Sequence, residues 1–356
     1  MLTGGSGAGP PGSDAGFKVL ETEHFRLVYD TTGAIVAPLV DRLEATYEAV
    51  RRFCEMSGLN PKAPASRLEV VLFDRYEDFA PYARTAGVSA ASVAGFYDPE
   101  SNTAAFCNVL DTPDLRRITQ KIEQIRQQIS EAAAGESECR QRPESRQESE
   151  QTAAKLSAEH DALADRFNRL VIQHEVAHQV LHNLGVYVHN ESVPPWLLEG
   201  LACQFEGALP GELDGGTPGV NRMRLADLRE ALGVPPGARS VSGDAYAKAL
   251  ESGRFTPLVD LVSKPELMAK DDGNLAVRYA QSWALVHYLH HKDEKAFNAF
   301  VKYLRERSAW QPPIHIGPEL EFTAFRVAFG EPDEFFQRQW LDYVLKLPFD
   351  SAKAGH

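Results

Sequence analysis

The chain has 356 residues, of which 43% are hydrophobic and 24% are charged, and its formal net charge is −13. This composition is typical of a globular protein with one large or two modest domains. The acidic balance argues against nucleic acid or an anionic membrane surface as the main partner. No stretch approaches the roughly 18 apolar residues of a membrane helix, so we expect no membrane span.

The first residues do not settle the compartment. Residues 1–16 are rich in Gly, Pro and Ser, with neither a basic start nor a long apolar core. They predict a flexible lead-in and not a signal peptide. Two interpretations stay open: a cytoplasmic protein, or a secreted protein whose export signal is missing from this chain. The four cysteines match no zinc-finger or redox spacing.

Residues 17–111 show the patterns of a small sheet with helices. Period-two alternation and short apolar runs bounded by turn residues indicate strands, whereas apolar residues three and four apart indicate helices. We predict strands at residues 17–30 and 68–73, a pair of strands within residues 93–106, and helices at residues 34–57 and 74–86.

Residues 112–169 predict an inserted antiparallel helical hairpin. Its apolar residues follow the three-four spacing of a coiled-coil seam, which continues to Leu170. They are Leu115, Ile118, Ile122, Ile125, Ile129, Leu156, Leu163, Phe167 and Leu170. Residues 135–143 form a polar break, and no stop signal occurs between residues 145 and 185. We therefore expect the returning arm to run straight into the next helix. A lid, a self-association or partner-docking arm, and an exposed insertion without a chemical role are all open.

The apolar run at residues 170–184 contains His174, Glu175 and His178 in the order H-E-x-x-H. Residues four apart lie on one face of a helix, so the two imidazoles can point at one metal ion. Glu175 lies one residue further round, where a general base for a metal-bound water belongs. The alternative is a helix with two packed histidines and a chance glutamate.

A third ligand must come from a later segment, because a catalytic zinc usually takes three protein ligands and one water. Gly185 is a C-cap signal that ends the first helix, and Pro194 and Pro195 open a second helix. Glu199 falls in the first turns of this second helix. The intervening loop is long enough to bring the second helix back against the first.

The H-E-x-x-H motif, followed by P-x-W-L-x-E-G-x-A at residues 194–202, resembles the gluzincin metallopeptidases, especially the peptidase MA-like group. Residues 221–228 and 279–289 are similar to a bacterial branch, the DUF1570 family. The resemblance covers residues 17–347 and is most specific around the zinc motif. It implies that His174, His178 and Glu199 are the zinc ligands and that Glu175 is the base.

The resemblance also implies roles outside these four residues. Glu206 matches a common acidic position, is expected on the same helical face as Glu199, and would form a hydrogen bond with a ligand histidine. Tyr279 and His287 are candidates for stabilising the oxyanion; ordinary burial in a helix is the alternative. One strand within residues 93–106 is the candidate edge strand onto which a peptide adds, unless this is a simple core hairpin.

The predicted fold class is α+β, with a small N-terminal mixed sheet, the inserted hairpin and a mostly helical C-terminal part. The predicted divisions are residues 1–16, 17–111, 112–169 and 170–350. In the last division we predict helices at residues 222–232, 275–290, 294–307, 322–329 and 333–345, and an irregular stretch at residues 235–253.

The expected function is a Zn²⁺-dependent metallopeptidase that hydrolyses peptide bonds of a peptide or protein substrate with metal-activated water. Two alternatives remain. One is a zinc-stabilised peptide-binding module without turnover, which would have no use for a base at Glu175. The other is a coiled-coil interaction protein in which the zinc domain is a scaffold, which leaves the pattern at residues 194–202 unexplained.

Overall fold

The computed structural model describes residues 16–88, 93–134, 143–187, 193–206, 219–235, 237–270, 272–308 and 318–349. The predicted lead-in, apart from Gly16, and the polar break of the hairpin, apart from Pro143, lie outside the described residues. Within the described residues the architecture is α+β, as predicted, with a five-stranded sheet near the N-terminus followed by helices.

The sheet is mixed, and its strand order is β1–β2–β3–β5–β4. The strands are β1 (Lys18–Glu21), β2 (Phe25–Tyr29), β3 (Leu68–Phe73), β4 (Gly95–Asp98) and β5 (Thr103–Cys107). The three inner strands β2, β3 and β5 are parallel, and β1 and β4 pair with them in the antiparallel direction. The predicted strand pair within residues 93–106 is thus present, and β4 lies at the edge of the sheet.

The prediction of a single strand over residues 17–30 was wrong. This range holds two antiparallel strands, β1 and β2, and a tight turn joins them. In that turn the backbone N–H of Thr22 donates to the carbonyl oxygen of Phe25 over 2.9 Å, and the N–H of Phe25 donates to Thr22 Oγ1 over 3.1 Å. All four side chains of β1 are exposed, so no inward-outward alternation marks the end of this strand.

Helices cover both faces of the sheet. On one face α1 (Gly33–Met56), which matches the helix predicted at residues 34–57, packs its apolar side chains against Leu27 and Val70. On the other face α2 (Tyr76–Thr85) buries Phe79 completely. A sheet covered on both faces needs apolar residues in both orientations, which is why the strand at residues 68–73 is an almost unbroken apolar run.

The predicted hairpin consists of α3 (Pro113–Ala134) and α4 (Pro143–Phe167). The hydroxyl of Thr119, early in α3, lies 3.1 Å from Nε2 of His160, late in α4, so the two helices are antiparallel. At the base of the hairpin Leu115 and Ala164 form a small apolar cluster that is separate from the main core. The predicted seam residue Phe167 has a side chain outside the described part of the structure.

The returning arm runs into α5 (Gln173–Asn183), which carries the H-E-x-x-H residues, as the absence of a stop signal predicted. A π-helical segment, Asn168–Ile172, connects the two helices. Its residue Val171 lies over Gly95 of β4. A Cβ atom on Gly95 would be 2.9 Å from Val171 and 2.3 Å from the ring of Phe106, so only glycine fits here.

We expect the hairpin to be dispensable for folding. A variant with a short Gly/Ser linker in place of residues 120–159 keeps the cluster at the hairpin base, so its melting temperature should stay within about 4 °C of the parent. Thermal unfolding followed by circular dichroism measures this. By contrast, Trp283→Ala in the fully buried main core should cost about 3–5 kcal/mol. Loss of cooperative unfolding in the linker variant would show that the hairpin belongs to the main core.

Most of the residues that the structure describes after α5 are helical. The described helices are α6 (Pro195–Ala202), α7 (Arg222–Ala231), α8 (Gly243–Glu251), α9 (Leu258–Ser263), α10 (Leu275–Lys292), α11 (Glu294–Ser308), α12 (Pro318–Phe329) and α13 (Glu334–Val344). The five helices predicted in this part are present. Among the described helices, none has the length and apolar character needed to cross a membrane.

The prediction of an irregular stretch over residues 235–253 was wrong, because this range contains α8. The side chain of Ser242 accepts a hydrogen bond from the N–H of Ala245 over 3.2 Å and caps the helix. A single buried residue, Ala249, faces the core from α8. Tyr246 and Leu250 are partly buried beside it, but the Gly, Pro and Ser residues at both ends of the range indicate a loop in sequence.

Candidate metal centre

Two helices bring the three predicted ligands together. α5 carries His174 and His178 one turn apart, and α6 contributes Glu199. Nε2 of His174 lies 3.0 Å from Nε2 of His178 and 3.0 Å from Oε2 of Glu199, and the third side of this triangle measures 3.4 Å. In a tetrahedral metal site with ligands about 2.1 Å from the ion, ligand atoms lie roughly 3.4 Å apart. The spacing therefore fits a metal ion bound by all three atoms.

Local backbone signals place α6 against α5. Gly185 has a left-handed φ of +73°, which ends α5 as the C-cap signal predicted, and α6 begins at Pro195. On its other side α6 lies very close to α10, because a Cβ atom on Gly200 would be 2.5 Å from the carbonyl oxygen of Ser282. Gly200 thus lets α6 approach α10, and its neighbour Glu199 is held toward the histidines.

Hydrogen bonds assign the protonation of both imidazoles. Nδ1 of His174 lies 2.8 Å from Oε1 of Glu206, an acceptor, so this nitrogen carries the proton. The hydroxyl of Tyr187 donates to the carbonyl oxygen of His178 over 3.1 Å, so its oxygen accepts from His178 Nδ1 over 3.3 Å. In the neutral rings both Nε2 atoms are then lone-pair acceptors that face each other and the carboxylate of Glu199. Three such acceptors in contact repel one another, and a bound cation, or a proton on one imidazole when no cation is bound, removes this repulsion.

The electrostatics of the site also favour a cation. Burial raises the pKa of Glu199, but the nearby His178 and His174 outweigh it and leave this pKa below its usual value. Burial likewise opposes ionisation of Glu206, yet the charge of Arg224 lowers the pKa of Glu206 to about 2. Burial lowers the pKa of His174, but its hydrogen bonds with Cys203, Glu199 and Glu206 raise it well above the usual value. Two carboxylates, the buried one of Glu206 and the half-buried one of Glu199, therefore remain ionised around the ring of His174.

Glu206 reaches His174 by a route that the sequence did not predict. The expectation was a position on the same helical face as Glu199, but α6 ends at Ala202, and a turn over residues 203–206 carries Glu206 to the ring. There Glu206 is only 3% exposed. Its partners are His174, Asn221 and Arg224, the last of which binds it with two nitrogens over 2.6 and 2.7 Å.

A second group of possible ligands shares His174 with Cys203 and Glu206. The thiol of Cys203 lies 3.4 Å from Oε1 of Glu206 and 3.9 Å from Nδ1 of His174. The guanidinium of Arg224 already occupies both oxygens of Glu206 and supplies the positive charge there. Burial raises the pKa of Cys203 to about 11, so its thiol stays protonated. The triangle of His174, His178 and Glu199 is therefore the better metal centre.

Glu175 is held next to this triangle by a backbone group. Its Oε2 accepts a hydrogen bond from the N–H of Tyr97, in the edge strand β4, over 2.9 Å. Burial raises the pKa of Glu175, although the charges of His174 and His178 oppose this effect. A half-buried carboxylate with a raised pKa beside a candidate metal centre is a suitable proton acceptor.

The side chain of Tyr97 makes a further link between β4 and α5. Its hydroxyl lies in hydrogen-bonding contact with Nδ1 of His182, one turn after His178, and donates to Oδ1 of Asn102 over 2.9 Å. Asn102 in turn exchanges hydrogen bonds with Asn183 over 2.7 and 2.9 Å. No motif in the sequence points to this network, because its members come from two segments about eighty positions apart.

The two oxyanion candidates lie in different surroundings. The ring of Tyr279 is almost parallel to that of His174, with an interplanar angle of 14° and centroids 5.7 Å apart. His287 lies two turns further along α10, where it stacks on His291 and lies 3.0 Å from the hydroxyl of Tyr343. The structure thus brings Tyr279, and not His287, to the metal centre.

The comparison of the chain with known protein families found a match. Residues 170–314 match a family described as "Protein of unknown function (DUF1570)". No curated protein matches the chain. The matched range contains the three candidate ligands as well as Glu206 and Tyr279. Residues 170–314 are therefore similar to the DUF1570 family, which the motifs at residues 221–228 and 279–289 indicated.

Proposed function

We propose that this protein is a zinc-dependent metallopeptidase of the gluzincin type. One observation carries the proposal: three lone-pair acceptors, on His174, His178 and Glu199, converge at 3.0–3.4 Å beside the half-buried carboxylate of Glu175, which is not one of them. A site that only stores a structural metal is usually closed by four protein ligands and needs no base. Three ligands with an adjacent base are the arrangement for hydrolysis.

The metal, Glu175 and Tyr279 each have a distinct role in this mechanism. Zinc, when bound, supplies Lewis acidity that polarises a carbonyl and makes water a better nucleophile. Glu175 accepts the proton of the attacking water and delivers it to the leaving amine. The hydroxyl of Tyr279, whose pKa burial raises far above its usual value, stays protonated and can donate to the oxyanion.

The edge strand supports a peptide as the substrate. The N–H of Cys107 donates to the carbonyl oxygen of Ala94 over 2.9 Å, which fixes the hydrogen-bonding phase of the β4–β5 pair. In an antiparallel pair the bonded residues alternate, so the backbone groups of Gly95 and Tyr97 point away from β5. One of them, the N–H of Tyr97, binds Glu175. An extended peptide added along this edge would lie beside the base.

The test of the proposal has two measurements. Metal analysis of the purified protein should find one zinc per chain, because the two imidazoles and one carboxylate suit zinc better than magnesium or calcium. A peptide library should then show cleavage that a chelator abolishes and added zinc restores. Uptake of no zinc would end the proposal. Zinc binding without cleavage of any library member would favour the peptide-binding module instead.

A further inference from the structure

We infer that Arg224 is a positioning residue of the metal centre, which holds two separate groups, Glu206 and Tyr279, against the ring of His174. The inference rests on the proposed function in one respect, namely that His174 binds a metal. Arg224 itself does not touch the reacting groups. It acts through its two neighbours, and it is only 8% exposed.

The first contact of Arg224 fixes a carboxylate. Nε of Arg224 donates to Oε2 of Glu206 over 2.7 Å, and Nη2 donates to Oε1 over 2.6 Å. A planar guanidinium bound by two parallel hydrogen bonds sets the plane of the carboxylate as well as its place. Oε1 is the atom that lies 2.8 Å from Nδ1 of His174. This fork, the pair of hydrogen bonds from Arg224 to Glu206, therefore determines the direction from which Glu206 holds His174.

The second contact of Arg224 fixes an aromatic ring. Its guanidinium carbon lies 5.4 Å from the centroid of Tyr279, within the range of a cation–π interaction. The same ring stacks on His174. Four side chains thus form a closed circuit, in which each one contacts the next: His174, Glu206, Arg224, Tyr279 and again His174. Arg224 is the member across the circuit from the candidate metal ligand His174.

The start of α7 anchors this circuit. Asn221 caps α7 by accepting a hydrogen bond from the backbone N–H of Arg224 over 3.1 Å. With its amide nitrogen Asn221 donates to Oε2 of Glu206 over 2.9 Å and to the carbonyl oxygen of Cys203 over 3.0 Å. The N-terminus of α7 is therefore bound directly to the turn that carries Glu206. These contacts fix the backbone from which the side chain of Arg224 reaches Glu206 and Tyr279.

The expected effect of losing Arg224 is weaker metal binding by a folded protein. Without the fork, Glu206 is buried without its charged partner and no longer has a fixed direction toward His174. Loss of the group that orients a ligand histidine typically weakens metal affinity about 10- to 100-fold. We expect Arg224→Gln to raise the Kd for zinc by this factor, and Arg224→Lys to raise it as well, because an ammonium keeps the charge but loses the fork.

The helix offers matched controls. Arg229 is also buried on α7, but its guanidinium donates to the carbonyl oxygens of Pro235 and Ala238 and not to the metal centre. Arg229→Gln should destabilise the protein without changing the Kd for zinc. Arg222 is exposed on the same helix, and Arg222→Gln should change neither quantity.

The experiment measures the Kd for zinc by competition with a chelator, alongside thermal unfolding of each metal-free variant. Zinc binding by Arg224→Lys as tight as that of the parent would overturn the inference, even if Arg224→Gln does not fold. So would additive losses in the double variant Arg224→Gln/Glu206→Gln, because residues that act as one unit give non-additive effects. A parent protein that binds zinc but cleaves no peptide would refute the proposed function and leave this inference standing.

Discussion

The variant Glu175→Gln is expected to bind zinc and fold as the parent does, while its peptide hydrolysis falls by at least about a hundredfold. Glutamine keeps the shape of the side chain, and its amide oxygen can still accept the hydrogen bond that Tyr97 N–H gives to Glu175. It cannot accept a proton from water. The loss should appear in kcat, with the zinc content and the melting temperature unchanged.

The control for this variant is Glu230→Gln, an exposed carboxylate on α7, which removes the same charge from the chain at a distance from the catalytic step. It should leave kcat within about twofold of the parent, since surface substitutions away from the site are nearly neutral. Equal rates for Glu175→Gln and the parent would exclude Glu175 as the base. A simultaneous loss of zinc would assign it to metal binding instead.

The second large effect is expected from removing a ligand. His178→Ala deletes one corner of the triangle and leaves two protein donors, so the variant should lose its zinc. Ligand binding stabilises a folded protein by about 2.7 kcal/mol at a concentration a hundred times the Kd. The melting temperature of the parent should therefore rise when zinc is added, whereas that of His178→Ala should not respond.

The matched control is His182→Ala, because this histidine lies one turn further along α5 and contacts Tyr97 rather than the triangle. It should bind zinc and keep a zinc-dependent melting temperature. Full zinc occupancy in His178→Ala would contradict the assignment of the metal centre. It would point to the neighbouring group of His174, Cys203 and Glu206 as the ligands.

The residues of the candidate metal centre were predictable from sequence because their arrangement depends on neighbouring residues and on the geometry of a helix. His174 and His178 lie four residues apart, and Pro195 marks the start of the helix that brings Glu199 to them. These relations need only a turn of helix and a cap signal, both of which are visible in one chain. The partner of Glu175 was not predictable, because it is the backbone N–H of Tyr97, and every residue except proline has this group.

The rest of the site depends on packing between segments that are distant in sequence. Arg224 is one of 37 basic residues, and nothing in its own neighbourhood distinguishes it from the exposed Arg222. Its role follows from the turn that delivers Glu206 and from the cap at Asn221. Among the elements, β1 was missed as a separate strand because it has no buried side chains to give a periodic signal. The helix α8 was missed because it is short and bounded by Gly, Pro and Ser residues that indicate loops.

The π-helical segment Asn168–Ile172 has a consequence for how the chain tolerates insertions and deletions. In a continuous helix each added or deleted residue turns everything beyond it by about 100° and shifts it by about 1.5 Å. Helix α5 is held against the sheet by Gln179, which donates to the carbonyl oxygens of Glu69 and Asn102. Such a change in α4 would therefore swing the hairpin and leave the candidate ligands in place. A π-helical turn holds one residue more than an α-helical turn. The segment can therefore absorb a length change of one residue, and a variant that lacks one residue there can close as plain α-helix.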